Sequence, residues 1–268
     1  SGTVILSADD KVVLGMGDRN KMVIKTYGFE KGADFRASNE RIIYDDVSKV
    51  PLGLSYKLDH DGKILPVRLS GVLGRQAIYA SLAALAVSDV LNLNLLSVLV
   101  SLNEFKMPPG RMSLLLGNKG PLILDDTYNS SPVAVEAALD TLKELDVKGR
   151  RICVLGDMME LGKYTIPAHK AVGFQVARTC EILLAVGQRA KFIAEGATIE
   201  GMKAENIYQF DEARAAGEKL DQIISEGDLI LIKGSQYMRM ERAVEEVMAN
   251  PERKSQLLAR QEPEWQNR

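Results

Sequence analysis

The chain has 268 residues, of which 46% are hydrophobic and 26% charged, the profile of a soluble globular protein of about two domains. Its 34 basic and 36 acidic side chains give a formal charge of −2, so there is no electrostatic case for binding nucleic acid or an anionic membrane. No apolar run is long enough to cross a bilayer, and the first residues lack a signal-peptide pattern. Two scattered cysteines fit a reducing compartment, so we expect a cytoplasmic protein.

The first part of the chain predicts strands followed by two helices. Asp61-Gly62 is a hairpin turn signal between two partly alternating segments, and Pro66 in the second of them indicates an edge position or a bulge. Strands are predicted over 3–10, 22–29, 33–45, 53–60 and 63–70. Helices rich in Ala and Leu are predicted over 75–92 and 93–105.

MPPGRM (107–112) breaks this pattern and predicts a linker, after which short apolar runs alternate with helical segments. Such alternation is typical of an α/β domain with a mainly parallel sheet and helices on both faces. Strands are predicted over 122–126, 150–157, 181–187, 206–210 and 229–235. We expect domains over 1–108 and 109–250, followed by a polar tail over 251–268 that is a frayed helix or disordered.

Polar residues follow three of the predicted strands at the point where each strand ends. Because parallel strands share one carboxyl edge, where open α/β sheets bind ligands, these residues should surround one crevice. They are Asp125, Asp126, Asn129, Asp157, Glu160, Lys233 and Ser235. We expect the side chains of Asp126, Asp157 and Lys233 to be accessible, because burial of isolated charges is costly.

Each of these motifs also has a plain structural interpretation. Asp126-Thr127 can start the following helix, Gly156 and Gly234 can form tight turns, and Lys233 can be a solvated charge. Taken alone, each motif favours that interpretation, whereas three at one edge favour a binding site. Cys153 lies in an apolar run and is predicted to be a buried structural thiol.

The segment from Gly156 to Gly162-Lys163 is close to a phosphate-binding P-loop but does not match it. A P-loop needs four residues between its glycines and Ser or Thr after the lysine, whereas this segment has five and continues with Tyr164. No other stretch of the chain fits the pattern.

Several motifs together resemble the Mur ligase family. PPGRM, LILDDTYNSSP, VLGDMMELG, AHKAVG and LILIKGS occur in the family's order and spacing, and the second and third are most like its D-alanyl-D-alanine-adding members. GTVILSADD and GVLGRQAIYASLAALAV are similar to the rear of the family's central ATPase domain. The resemblance implies that rear part, with antiparallel strands and two helices, followed by a Rossmann-like C-terminal domain. It also implies a longer protein that includes an N-terminal domain and a P-loop, and a chain that is inactive by itself.

The reaction that the resemblance implies is ATP- and Mg²⁺-dependent amide formation in peptidoglycan synthesis. The terminal carboxylate of UDP-N-acetylmuramoyl-tripeptide is phosphorylated, and the amine of D-alanyl-D-alanine then attacks the acyl phosphate. Such chemistry needs charge neutralisation at the transferred phosphoryl group and close positioning of the amine.

The resemblance also implies residue roles, without assigning a catalytic residue or a metal ligand. Nucleotide-binding roles fall on Arg111, Asp125, Asp126, Tyr128 and Asn129. Substrate-binding roles fall on Asp157, Glu160, His169, Lys233 and Ser235. For His169, a role in packing or capping the domain is an equal alternative.

The chain also departs from the family's pattern, mainly at positions that lie near adenine. Gln76 and Ala77 replace a His-Asn pair, and Ala80, Ser131 and Ser7 stand where asparagine is usual. Two alternatives therefore stay open: another ligase of the same family, and a non-catalytic relative that binds a peptide or a partner protein.

Overall fold

The computed structural model describes residues 2–17 and 23–266, so the predictions for Met22 and the last two residues lie outside it. The chain forms two compact units, Ser1–Lys106 and Met107–Arg268, each built around its own sheet. This two-sheet α/β architecture confirms the predicted fold class. Within the described ranges, no helix has the length and apolar character needed to span a membrane.

Unit 1 contains a mixed sheet of order β1-β2-β3-β4-β5. The first three strands run parallel, whereas β3, β4 and β5 are antiparallel. The strands are β1 (Thr3–Ser7), β2 (Val23–Gly28), β3 (Phe35–Tyr44), β4 (Pro51–His60) and β5 (Lys63–Ser70). Asp61 and Gly62 form the predicted hairpin turn with φ angles of 49° and 70°, and Pro66 lies on the edge strand β5.

Three helices are described in unit 1: α1 (Lys11–Gly15), α2 (Arg75–Val90) and α3 (Leu95–Glu104). The last two confirm the predicted helices. The short α1 is absent from the sequence prediction, which extended a strand to residue 10. The strand ends earlier because the Asp10 carboxylate accepts hydrogen bonds from the N–H groups of Val12 and Val13, which starts a helix there.

Unit 2 contains a sheet of order β10-β9-β8-β11-β7-β6, parallel except for the edge strand β6. Its strands are β6 (Ser113–Leu116), β7 (Leu122–Asp126), β8 (Arg151–Gly156), β9 (Ile182–Val186), β10 (Ile207–Phe210) and β11 (Leu229–Lys233). In register, Lys233 pairs with Asp126 on one side and Leu155 on the other. The predicted shared carboxyl edge of β7, β8 and β11 is thus confirmed, whereas β6 was not predicted.

Helices cover the unit 2 sheet, and buried aliphatic side chains such as Ile152, Ile230 and Val244 fill the space beneath α7 and α8. The helices are α4 (Pro132–Glu144), α5 (Thr165–Thr179), α6 (Lys191–Ile199), α7 (Ala213–Ile223), α8 (Glu241–Val247), α9 (Lys254–Leu257) and α10 (Pro263–Gln266).

The expectation of a frayed or disordered tail is wrong for residues 258–260. Leu258 belongs to the core cluster of unit 2 and is 3% exposed, and Ala259 and Arg260 are 7% and 6% exposed. The polar composition of the segment gave no indication of this packing, because only a few of its side chains, including one arginine, pack against unit 2.

Helices α5 and α6 pack so closely that two glycines are required at their crossing. A Cβ atom on Gly173 would lie 2.1 Å from the Ile193 carbonyl oxygen, and one on Gly196 would lie 2.3 Å from that of Lys170. Both obstacles are backbone atoms, so the helices themselves would have to separate.

We therefore expect Gly173→Ala to lower the free energy of unfolding of unit 2 by about 3 kcal/mol, the upper part of the usual range for overpacking. Urea denaturation followed by the fluorescence of Trp265, the single tryptophan of the chain, measures this. Gly15→Ala is the matched control, because its new methyl group would meet nothing within 4 Å. A Gly173→Ala protein as stable as wild type would contradict the close crossing.

Candidate functional site

A buried ion pair joins two neighbouring strands at the carboxyl edge of the unit 2 sheet. Lys233 Nζ donates to Asp126 Oδ2 at 2.6 Å and to the Asn129 carbonyl oxygen at 2.8 Å. The residues are 3% and 9% exposed, so the prediction of accessible side chains is wrong for both. Each charge is stabilised by the other instead of by solvent, which is how a buried lysine and aspartate remain tolerable.

Asp157, at the end of the neighbouring strand β8, is also buried and organises a loop. Its Oδ1 accepts hydrogen bonds from the N–H groups of Arg189 and Ala190 at 2.9 and 2.7 Å, immediately before α6. Its side chain is therefore not accessible as predicted, because it satisfies backbone donors. The Asp157 carbonyl oxygen accepts a hydrogen bond from Ser235 N–H at 3.0 Å, which links the end of β8 to the end of β11.

Above this edge lies a cleft of about 1210 Å³, formed entirely by unit 2. Three of the predicted site residues line it: Asn129, Glu160 and Ser235. The remaining lining residues are Ser130, Ser131, Met159, Asp211, Glu212, Ala213, Arg214, Gln236, Tyr237, Met238, Arg239, Arg242 and Trp265. The cleft therefore presents both cationic and anionic side chains around an interior that is partly apolar.

Two buried hydroxyl groups in the lining of the cleft have no hydrogen-bond partner. Ser130 and Ser235 are 8% and 3% exposed, and the Oγ atom of each is unpaired. An unsatisfied buried hydroxyl costs free energy, and one beside an open cleft can donate to a ligand oxygen. The sequence prediction missed Ser130, because a serine just before a helix favours a capping role, which Ser131 performs.

Arg111, Asp126 and Tyr128 are three of the five residues predicted to bind the nucleotide. The Arg111 guanidinium lies 4.1 Å above the centre of the Tyr128 ring, and both side chains are exposed. Asp126 Oδ1 accepts from Met112 N–H at 3.2 Å, so both carboxylate oxygens already have a protein partner. Arg111 and Tyr128 therefore offer a free surface to a ligand, whereas Asp126 can bind one only by sharing its oxygens.

His169 does not reach the cleft, because it is fully buried with both ring nitrogens in hydrogen bonds. Nε2 accepts from Met158 N–H at 3.0 Å, which leaves Nδ1 as the donor to the Thr165 carbonyl oxygen at 2.6 Å. Burial lowers the pKa of His169 despite the opposing effect of that second bond, so the ring is neutral. The structure thus corrects the substrate-binding role and favours the packing alternative, in which His169 fixes the start of the Met158–Glu160 loop.

Asp125 is likewise fully buried and is not part of the crevice surface. Its Oδ1 accepts from the Thr127 hydroxyl at 2.7 Å and from Thr127 N–H at 3.2 Å, while Oδ2 has no partner. Burial raises the pKa of this carboxyl to about 7, the bonds from Thr127 oppose the shift, and the nearby Asp126 and Glu241 add to it. Because Asp125 is fully buried and its Oδ1 is bound to Thr127, it is a structural group and not a ligand-binding group of the crevice surface.

Within 2–17 and 23–266, no group of three or more His, Cys, Asp or Glu side chains is arranged to hold a metal ion. In unit 1, three residues differ from the family's pattern near the position implied for adenine. Gln76 and Ala80 are exposed, whereas Ala77 is buried.

Sequence comparison identifies the region that forms this site. Residues 110–236 match the family described as Mur ligase, glutamate ligase domain. The UDP-N-acetylmuramoyl-tripeptide–D-alanyl-D-alanine ligase of Bacillus subtilis is 28% identical over 67% of this chain, and that of Escherichia coli is 32% identical over 66%. The chain spans 39% and 38% of the lengths of these two relatives.

Structural comparison gives the same fold. The MurF ligase of Thermotoga maritima, solved in complex with ADP, superimposes with a TM-score of 0.76 and 23% identity, covering 92% of this chain and 53% of that one. The folylpolyglutamate synthase of Mycobacterium tuberculosis superimposes less well, with a TM-score of 0.62 and 17% identity.

The raised pKa of Asp125 predicts a pH-dependent stability. The folded-state pKa of about 7 exceeds the unfolded value of about 3.9. The contribution of Asp125 to the free energy of unfolding is therefore fully present below pH ~4 and is lost as the pH rises towards 7. The difference of about three pKa units corresponds to about 4 kcal/mol. The side chain introduced by Asp125→Asn cannot ionise. The free energy of unfolding of this variant should therefore depend less on pH, as measured by urea denaturation between pH 4.5 and 8. Asp140→Asn, on the exposed face of α4, is the control, and an Asp125→Asn profile parallel to wild type would contradict the prediction.

Proposed function

Because the chain carries the C-terminal domain of a Mur ligase, we propose that it belongs to an ATP-dependent ligase that joins D-alanyl-D-alanine to UDP-N-acetylmuramoyl-tripeptide. The single observation that carries the proposal is the cleft of unit 2, where the unpaired hydroxyls of Ser130 and Ser235 lie at the carboxyl edge of a parallel sheet. Ligand sites in open α/β sheets lie at this edge.

The charges of the cleft suit a zwitterionic dipeptide. Its lining includes the cationic side chains of Arg239 and Arg242 and the anionic side chains of Glu160 and Asp211. A dipeptide carries one carboxylate and one ammonium group, so it can meet both signs of charge at once. The hydroxyls of Ser130 and Ser235 would donate to the carboxylate, a charge-assisted bond that is stronger than one between neutral groups.

In the proposed reaction, ATP transfers its terminal phosphoryl group to a carboxylate oxygen of the tripeptide, which releases ADP. The deprotonated dipeptide amine then attacks the acyl carbon, the bond from carbon to the phosphate oxygen breaks, and inorganic phosphate leaves. The contribution of unit 2 is to hold the dipeptide so that its amine is close to that carbon, an effect of positioning. Arg111 and Tyr128 provide the surface proposed for the nucleotide. No Mg²⁺ ligand is assigned to the described residues, so no step is attributed to a metal here.

The main competitor is a non-catalytic binding protein, favoured by Gln76, Ala77 and Ala80 at positions implied for adenine recognition. The two candidates differ in what they bind. The ligase requires ATP and the dipeptide, whereas the competitor requires no nucleotide. Calorimetric titration with ATP tests this difference, and heat of binding from ATP would contradict the competitor.

The dipeptide site is tested by titrating the chain with D-alanyl-D-alanine and, separately, with L-alanyl-L-alanine. We expect saturable binding of the first, and a dissociation constant at least about tenfold higher after Ser235→Ala or Ser130→Ala, because each removes a hydrogen bond to a charged group. Ser255→Ala, at an exposed position of α9, is the matched control and should bind as wild type does. Equal binding by all variants, or no binding by wild type, would contradict the proposal.

A further inference from the structure

Beyond the last strand of unit 2, a carboxylate is enclosed by two arginines. Glu241, at the start of α8, is 2% exposed. Its Oε1 accepts from Arg239 Nε at 2.5 Å, and its Oε2 accepts from Arg260 Nη1 at 3.1 Å. The region that matches the Mur ligase family ends at residue 236, so this cluster lies outside it. Of these three charges, the proposed function uses only that of Arg239, which lines the cleft.

Arg260 also holds the backbone of the segment that carries Tyr128. Nη1 donates to the Thr127 carbonyl oxygen at 3.2 Å, and Nη2 donates to that of Tyr128. Its guanidinium lies 5.3 Å from the centre of the Tyr128 ring, against which Arg111 also packs. One buried side chain from the C-terminal segment thus binds an acid in α8 and two consecutive carbonyl groups after β7.

The same segment supplies an aromatic side chain to the cleft. Trp265 is one of the lining residues, and its carbonyl oxygen accepts from Arg239 Nη1 at 2.5 Å. The guanidinium groups of Arg239 and Arg260 lie 5.5 and 5.7 Å from the centre of its ring. Arg260 therefore connects the segment that carries Tyr128 with Trp265, and Arg239 makes a second contact with Trp265.

We propose that the C-terminal segment completes the site, with Arg260 as a positioning residue for Thr127 and Tyr128 and Trp265 as a wall that contacts the dipeptide. The part concerning Trp265 rests on the proposed function, whereas the part concerning Arg260 does not. A buried ion pair holds Arg260 in place, and its planar fork has enough donors to bind Glu241 and both carbonyls together. An ammonium group is a point charge and cannot span the same three acceptors.

Hydrogen exchange tests Arg260 without any ligand. We expect Arg260→Lys to keep the slow exchange of β8 amides and to raise exchange at residues 127–130 by about tenfold or more, as expected for the loss of one bond to a charged group. Arg260→Ala should give a larger increase in the same place. Arg253→Ala removes an equal charge from an exposed position of the same segment and is the matched control. If Arg260→Lys and Arg253→Ala exchange alike at 127–130, the positioning role is wrong.

Fluorescence tests Trp265, because it is the single tryptophan of the chain. Titration of wild type with D-alanyl-D-alanine should change its emission, with the same dissociation constant that calorimetry gives. Arg260→Lys should raise that constant about tenfold or more, whereas Arg253→Ala should leave it unchanged.

The outcomes separate this inference from the proposed function. Calorimetric binding by wild type without a change in emission would overturn the role of Trp265 while the proposed function stands. Absence of calorimetric binding would overturn the proposed function and the dipeptide contact together, and the exchange experiment would still decide the role of Arg260.

Discussion

The ion pair between Lys233 and Asp126 is the constraint on which the arrangement of unit 2 depends. It joins the ends of β11 and β7 at a point where the two residues are already paired in register. Lys233 also fixes the Asn129 carbonyl, and the chain continues directly into Ser130 and the cleft. Loss of either charge would leave the other buried without its partner, which typically costs about 3–5 kcal/mol. The same contact thus stabilises the sheet and sets the position of the residues above it.

The buried polar groups of unit 2 fall into two kinds. Asp157 and His169 are satisfied by backbone groups, so they hold the loops after β8 in one conformation. Ser130 and Ser235 are unsatisfied and line the cleft. A rigid frame with a few unpaired groups at an open surface is what a preorganised binding site requires, because little ordering remains to be done when a ligand arrives.

The repeated succession of apolar runs and helical segments was sufficient to predict the parallel sheet of unit 2 and its carboxyl edge. Two short elements were not predicted. β6 has four residues and α1 has five, which is too few for the alternation of a strand or the period of a helix to be recognised. Residue roles were harder to predict. A polar residue at the end of a strand can face a ligand, a loop or another charge, and Asp125, Asp157 and His169 resemble candidate ligand-binding groups until their partners are seen. Arg260 gave no local signal, since its partner Glu241 lies 19 residues away.

We propose above all that a dipeptide binds in the cleft at the carboxyl edge of the unit 2 sheet. Its most direct test is a two-dimensional ¹H–¹⁵N NMR spectrum of the chain, recorded during titration with D-alanyl-D-alanine. We expect the backbone amides of Ser130 and Ser235 and the indole N–H of Trp265 to shift progressively and to saturate together, while the amides of β9 stay in place. Saturable shifts confined to other surfaces, or an unchanged spectrum at saturating dipeptide, would contradict it.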